Sequence, residues 1–258
     1  MHLLAEAGKD EISFLLFSKQ PFVVHGFYVY SFNKHISPAE YAASLQKIIH
    51  DEHSLAAEFA SCTVLYNTDE CVLVPEEYFA EADRTGICDL MFGENRTTLC
   101  FHDNVKDQRI KAVYRLPQKI YDTVNAAFPK SSFSHATCSQ LAAGKEDLLQ
   151  CIVYHNNIKL ILFKEGALQI VRLVEYASPA DVCYQLLNTC RQFGMSPDSV
   201  NVLLSGMIEK HSNLYKEIYR YFLNISFSAL PEGVALDHRL EEYPHHFYTH
   251  LISLAQCV

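Results

Sequence analysis

Three histidines near the end of the sequence have a spacing that could bind a metal ion. They lie in YPHHFYTH as His245, His246 and His250. On an α-helix, His246 and His250 would share one face, as the zinc ligands of HExxH motifs do. The glutamate of that motif is absent, however, and no third ligand is evident. We therefore expect solvent-facing or interface histidines here.

Motifs of several enzyme classes are absent. The sequence contains no GxSxG turn, no Walker lysine loop and no GxGxxG turn. Residues that would carry out acyl or hydride transfer are therefore not recognisable. Nine cysteines are scattered without a CxxC pair. This usage is typical of reduced thiols in a cytosolic protein, most of them small buried apolar residues.

The composition favours a folded cytoplasmic protein that binds neither nucleic acid nor membranes. Of the 258 residues, 49% are hydrophobic and 12% aromatic, which is enough for a full core. The formal net charge of −9 repels phosphate backbones and anionic lipids. The N-terminal MHLLAEAGKDE has no signal-peptide pattern, and no apolar run approaches the roughly 20 residues of a membrane span.

Two helix starts in the sequence are nearly identical. SPAE at residues 37–40 and SPAD at residues 178–181 each place serine at the N-cap, proline at the first helical position and an acid two residues later. Each pattern predicts a capping box followed by an amphipathic helix. Asp181 is one methylene shorter than Glu40, which predicts a weaker second box.

Similar strand patterns around the two helices predict an internal duplication. Each half has three strand-like segments before its helix and one after it. In the first half these are HLLAEA, EISFLLF, FVVHGFYVYSF and CTVLYN; in the second they are QCIVYH, IKLILF, LQIVRLVEY and VNVLLSG. Agreement of successive segments in order favours duplication over a chance echo. We predict one copy at residues 1–149 and the other at residues 150–258.

Further elements are predicted outside the two repeated patterns. Between them we expect a strand pair, a helix from Pro117, and a strand followed by a helix. The corresponding segments are TTLCFHD, IKAVYRL, FSHAT and TCSQLAAGKEDLL. Two helices, near residues 212–222 and from Pro244, are expected to close the chain.

Two copies of strand, strand, strand, helix, strand resemble the actin-like ATPase fold, which contains two ribonuclease-H-like units. The runs CVLVPEEYF and EYASPADVCYQLLNTCRQFG, with VNVLLSG, are similar to an uncharacterised bacterial domain-of-unknown-function family associated with that fold. The expected fold class is therefore α/β, with two ribonuclease-H-like units that have mixed five-stranded sheets and flanking helices.

The resemblance implies two phosphate-binding hairpin turns. The first keeps Gly8 and Lys9 between acidic residues, which partly matches a phosphate turn, although an ordinary surface turn explains it as well. The second, Tyr154-His155-Asn156-Asn157, has neither an acid nor a glycine. It therefore lacks groups for direct magnesium binding and close phosphate approach. Its asparagines can adopt the left-handed conformation of a structural turn.

The resemblance also implies an adenosine-binding turn at Ser205 and Gly206, where Met207 replaces a second expected glycine. We expect a non-catalytic binding or scaffold module with a degenerate nucleotide site and an unidentified protein partner. The alternative is an ATP-binding protein or weak ATPase that uses the inter-domain cleft. Gly8, Lys9, Ser205 and Gly206 would then be the candidates for contact with ATP, which would bind together with magnesium.

Overall fold

The computed structural model describes residues 1–33, 36–55, 57–105, 108–138 and 147–257. The chain divides into two compact units, one of residues 1–141 with 257–258 and one of residues 142–256. This division falls within residues 139–146, outside the described residues. The helix predicted over TCSQLAAGKEDLL falls largely in the same segment and so also lies outside them.

The first unit contains eight described strands and three described α-helices. The strands are β1 (His2–Gly8), β2 (Glu11–Lys19), β3 (Phe22–Ser31), β4 (Ser61–Asn67), β5 (Cys71–Pro75), β6 (Thr98–Asn104), β7 (Ile110–Pro117) and β8 (Ser132–His135). The helices are α1 (Pro38–Asp51), α2 (Arg84–Phe92) and α3 (Gln118–Ala127). Short 3₁₀ turns occupy His53–Leu55, Glu76–Tyr78, Glu81–Asp83 and Ala136–Cys138.

The second unit contains six described strands and three described α-helices. The strands are β9 (Leu148–Val153), β10 (Asn157–Lys164), β11 (Ala167–Glu175), β12 (Asn201–Gly206), β13 (Asn224–Phe227) and β14 (Ala235–Leu236). The helices are α4 (Pro179–Gln192), α5 (Asn213–Tyr219) and α6 (Thr249–Ala255), and a 3₁₀ turn occupies His245–Phe247. The boundary predicted after residue 149 falls within β9.

Five strands in each unit follow the same order. In the first unit they run β3-β2-β1-β4-β8, and in the second β11-β10-β9-β12-β13. The first three strands of each set are joined by tight hairpins and are antiparallel, whereas the last two are parallel to the strand beside them. Parallel pairing needs a crossover, which α1 and α4 provide. The predicted mixed five-stranded arrangement of both units is confirmed.

A separate antiparallel sheet in the first unit has the order β5-β7-β6. The predicted pairing of TTLCFHD with IKAVYRL is confirmed as β6 and β7. Neither β5 nor α2 was predicted. Helix α2 gives a weak sequence signal because it contains Gly86 and has no side-chain hydrogen bond at its N-cap.

Both predicted capping boxes are present. Glu40 Oε2 accepts a hydrogen bond from Ser37 N at 2.9 Å, and Ser37 Oγ accepts one from Glu40 N at 3.3 Å. In the second box, Asp181 Oδ2 accepts hydrogen bonds from Ser178 N at 2.8 Å and from Ala177 N at 3.0 Å. The shorter acid therefore accepts the larger number of backbone hydrogen bonds, while the reciprocal bond from Asp181 N to Ser178 Oγ is 3.4 Å long. The weaker second box stays a prediction.

Each unit has its own hydrophobic core between its sheet and its helices. In the first unit, Leu45 of α1 and Val124 of α3 are buried in this core. In the second unit, Leu186 and Cys190 of α4 occupy the matching layer. All nine cysteines are free, and the buried ones are Cys88, Cys138, Cys151, Cys183 and Cys190. Burial raises the pKa of the Cys151 thiol to about 12, so it packs as a neutral apolar group.

Candidate functional site

The first predicted phosphate turn lies at the tip of the β1–β2 hairpin. Gly8 ends β1, and a Cβ at this position would lie 3.1 Å from the Glu11 carbonyl oxygen, so a small residue suits the turn. Lys9 Nζ lies 3.5 Å from Asp69 Oδ2, and both side chains are about two-fifths exposed (43% and 40%). Lys9 therefore already has a carboxylate partner within its own unit.

The second predicted turn, between β9 and β10, is held by backbone hydrogen bonds. Tyr154 N donates to Asn157 O at 2.8 Å, and Tyr176 N donates to Asn156 O at 3.0 Å. The Tyr176 hydroxyl donates to Tyr154 O at 3.1 Å. Neither asparagine adopts a left-handed conformation, which corrects the explanation offered from the sequence. The turn is a braced structural element without an acidic group of its own.

The third predicted turn ends β12. Gly206 has φ +79°, and a Cβ here would lie only 2.2 Å from the Val153 carbonyl oxygen. Met207 N donates a hydrogen bond to that oxygen at 2.7 Å, while Ser205 is buried. The close approach to β9 requires glycine whether or not a nucleotide binds. The two predicted pairs, Gly8 with Lys9 and Ser205 with Gly206, lie in different units.

The histidine cluster does not form the predicted helical face. A 3₁₀ turn covers His245–Phe247 and α6 begins only at Thr249. His246 is buried, stacks on Phe227 at 4.2 Å and places Nε2 2.7 Å from Ile208 O. His250 is also buried, so the expectation of solvent-facing or interface histidines fits only His245. Burial lowers the pKa of His246 and favours a neutral, structural ring.

Across the described ranges, no group of three or more His, Cys, Asp or Glu side chains could hold a metal ion. Nor does any described helix have the length and apolarity needed to cross a membrane.

A pocket of about 530 Å³ in the first unit had not been predicted; we call it the β6 pocket. It is bounded by α2, the loop after α2, β6 and α3. Its lining residues are Arg84, Thr85, Asp89, Glu94, Asn95, Arg96, Thr98, Leu99, Cys100, Phe101 and Tyr121. Its volume falls in the range of ligand-binding pockets. Ten of the eleven lie within residues 84–101, but they come from a helix, a loop and a strand, and no local motif indicates the pocket.

The loop at the rim of this pocket is internally braced. Asn95 Oδ1 accepts hydrogen bonds from Thr97 N at 3.0 Å and Thr97 Oγ1 at 2.8 Å, and Thr98 Oγ1 donates to Asn95 O at 2.9 Å. These bonds fix the backbone on both sides of Arg96. The loop therefore presents Arg96 from a defined conformation.

A buried arginine holds α2 and the start of the rim loop in place. The side chain of Arg115 in β7 is 4% exposed and donates two hydrogen bonds to Glu70, at 2.6 and 2.8 Å. It also donates to Phe92 O at 3.0 Å and Gly93 O at 2.5 Å. These are carbonyl groups at the C-terminal end of α2, which is where a cation is most favourable.

A carboxylate joins the small sheet to the sheet that contains β8. Asp103 Oδ2 in β6 accepts hydrogen bonds from the Tyr114 hydroxyl of β7 at 2.9 Å and from His135 N of β8 at 2.7 Å. Burial and the neighbouring Asp103 carboxylate raise the pKa of Tyr114, so the hydroxyl stays protonated and donates. Strand β6 is thereby tied to both sheets.

Solved structures with similar folds have low sequence identity to this chain. A protein of unknown function with an actin-like ATPase fold from Bacteroides thetaiotaomicron superposes with a TM-score of 0.77 at 15% identity, covering 100% of this chain and 96% of that one. A PilM–PilN type IV pilus biogenesis complex matches with a TM-score of 0.70 at 13% identity, covering 99% and 97%. These matches show the fold alone.

A third similar structure is the cytoplasmic domain of EpsL, an inner-membrane component of the type II secretion system of Vibrio cholerae. It matches with a TM-score of 0.53 at 10% identity, covering 100% of this chain and 95% of that one. Among curated proteins, none matches the chain in sequence at a significant level.

A family profile described as "Protein of unknown function (DUF3822)" matches residues 1–225. The repeated strand order and the similar structures show that the fold is that of the actin-like ATPases. The chain therefore belongs to the DUF3822 family and has the actin-like ATPase fold.

Proposed function

We propose that this protein is a non-catalytic binding or scaffold module that keeps the actin-like fold with degenerate nucleotide-binding turns. The observation that carries this proposal is the packing of Gly206. Glycine is required at this position because a Cβ would strike the backbone of Val153. The presence of Gly206 is therefore no evidence for nucleotide binding. The β9–β10 turn adds no acidic residue or glycine, and phosphoryl transfer depends on positioned metal and backbone donors.

The similar structures support a role in a protein assembly. PilM is found in complex with PilN, and EpsL belongs to a secretion system. By analogy of fold, we propose a protein partner for this chain. The net charge of −9 supports a partner other than nucleic acid, and the free thiols support a reducing, cytoplasmic location.

The rival function is ATP binding or slow hydrolysis, which the retained Gly8 and Lys9 favour. Thermal unfolding with and without magnesium and ATP, combined with a phosphate-release assay, separates the two. We expect no change in Tm and no phosphate release above that of a protein-free control. A ligand present at about 100 times its Kd would add roughly 2.7 kcal/mol of stability, which is readily measured.

A matched pair of variants gives this test its specificity. Stabilisation by ATP that Lys9→Ala removes and Lys130→Ala preserves would establish the rival function, since Lys130 is an exposed lysine of the same unit. Gly206 is unsuitable for this purpose. Any side chain there would meet the Val153 backbone, so a loss of ATP response could reflect misfolding.

A further inference from the structure

Strand β6 is an edge strand of the small sheet. Among the described strands it pairs only with β7. Beyond its two ends, Gln118 N donates to Thr97 O and Val105 N donates to Ile110 O, each at 3.0 Å. Bonded positions alternate along an antiparallel pair, so the odd-numbered residues of β6 bond to β7.

The even-numbered residues of β6 therefore direct their backbone N–H and C=O groups away from β7. These residues are Thr98, Cys100, His102 and Asn104. Their partners in the register agree with this assignment: Thr98 is opposite Pro117, which has no N–H, and Cys100 is opposite Arg115, whose N–H donates to Glu70 O at 3.1 Å on the far side. Within the described part of the chain no other strand pairs with these groups, so a row of them lies along the outer edge.

The β6 pocket follows this edge. Four consecutive residues of β6, 98–101, line it. Successive side chains of a strand point to opposite faces, so a pocket that touches all four runs along the edge and not over one face. On one side lies Cys88 of α2, whose thiol pKa is raised to about 12 by burial and by the neighbouring Cys100. On the other, the Tyr121 ring of α3 lies 5.1 Å from that of Phe101.

Charged side chains of both signs surround the edge. Arg84, Arg96, Asp89 and Glu94 line the pocket, and none forms an ion pair within the described part of the chain. A purely anionic ligand would meet two carboxylates, and a purely cationic one would meet two guanidinium groups. The charge pattern therefore complements a ligand with separate acidic and basic groups.

We propose that the β6 pocket binds an extended segment of a partner protein that adds to β6 as a further strand and carries both acidic and basic side chains. The acidic groups pair with Arg84 and Arg96, and the basic groups pair with Asp89 and Glu94. Main-chain hydrogen bonds hold the segment while its side chains provide specificity. This inference deepens the proposed function and rests on it, because it gives the binding module a docking edge.

Selection from a random-peptide display library on the full chain provides the probe. We expect enriched peptides that carry both charges, and the amides of Thr98, Cys100 and His102 should exchange hydrogen more slowly when such a peptide is bound. N-methylation of the peptide at alternate residues should abolish binding for one alternating set and spare the other, since only one set of N–H groups faces β6. If N-methylation of either set leaves binding unchanged, the inference is overturned. It is also overturned if the selection enriches no peptide.

Charge reversal in the pocket tests the recognition. Arg84→Glu with Arg96→Glu should weaken the peptide by at least about tenfold in Kd, because attraction becomes repulsion in a half-enclosed site. Arg191→Glu, on the exposed end of α4 in the second unit, should have no effect. Equal weakening by both changes, or by neither, would exclude the pocket.

Failure of this inference can be distinguished from failure of the proposed function. Peptide binding at β6 together with ATP hydrolysis would overturn only the non-catalytic assignment. If no peptide binds at β6 and ATP changes neither Tm nor phosphate release, only the docking edge is overturned.

Discussion

The two units share one strand order but differ in the chain that joins the last two strands of each sheet. From β4 to β8, the first unit contains β5, α2, β6, β7 and α3. From β12 to β13, the second unit contains only α5 among its described helices and strands. The β6 pocket and Arg115 both lie in the longer connection. The repeated sheet is thus the common framework, and the connection supplies groups that could recognise another molecule.

The largest expected effect tests whether the retained glycine of the second unit is structural. Gly206→Ala should lower the free energy of unfolding by about 4 kcal/mol, since Cβ would strike the Val153 carbonyl and φ is positive. Gly194→Ala is the control. Gly194 also has a positive φ, +65°, but no atom lies within 4 Å of its Cβ position, so about 1 kcal/mol is expected.

Urea denaturation with and without ATP measures both variants. Equal losses of unfolding free energy in the two variants would show that the backbone near Val153 can move to accept a Cβ at residue 206 without an energetic penalty. Packing against Val153 would then no longer explain why residue 206 is a glycine.

The next prediction compares a basic side chain at the end of a helix in each unit. Arg115→Leu should cost about 3 kcal/mol, because it leaves the Glu70 carboxylate and two carbonyl groups at the end of α2 without their donor. Lys164 provides the matched case in the second unit, where Nζ donates to Phe193 O at the end of α4 at 2.8 Å. Lys164→Leu should cost only about 1 kcal/mol, since a single bond is lost.

Hydrogen exchange locates the damage. In Arg115→Leu, faster exchange should be concentrated in α2 and β6, and the second unit should keep its protection. Uniformly faster hydrogen exchange in both units would show that the longer connection does not unfold independently of the rest of the chain.

The smallest effects compare the two capping boxes. Ser37→Ala and Ser178→Ala should each cost about 1 kcal/mol. Because Asp181 accepts more backbone hydrogen bonds than Glu40, Asp181→Ala should lower Tm further than Glu40→Ala. The opposite order in thermal unfolding would support the prediction made from side-chain length.

The repeated architecture was predictable from sequence because its signals are local. Alternating apolar residues indicate strands, and Ser-Pro-Ala followed by an acid indicates a helix start. The β10–β11 turn has a local signal too, because its sequence KEGA contains a glycine; Glu165 and Gly166 have φ of +52° and +75°. Helix α2 and the four-residue β13 were missed because one contains a glycine and lacks a cap bond, and the other is very short.

The candidate site was not predictable because it depends on contacts between distant residues. Nothing in the sequence around Gly206 indicates that β12 approaches the backbone of Val153. The β6 pocket requires that a helix, a loop and a strand edge be brought together with Tyr121. The role of Arg115 likewise becomes visible only in the structure, where its side chain contacts the carbonyl groups at the C-terminal end of α2.

The shared carboxylate of Asp103 has a mechanical consequence. One oxygen atom holds a tyrosine of the small sheet and the backbone of β8 in the large sheet, while the opposite end of the same strand forms part of the pocket wall. A strand resists stretching along its length, so we expect a displacement at Thr98 to be carried to Asp103 and from there to β8. Strand β6 thus connects the wall of the β6 pocket to the sheet that contains β8 through a single carboxylate.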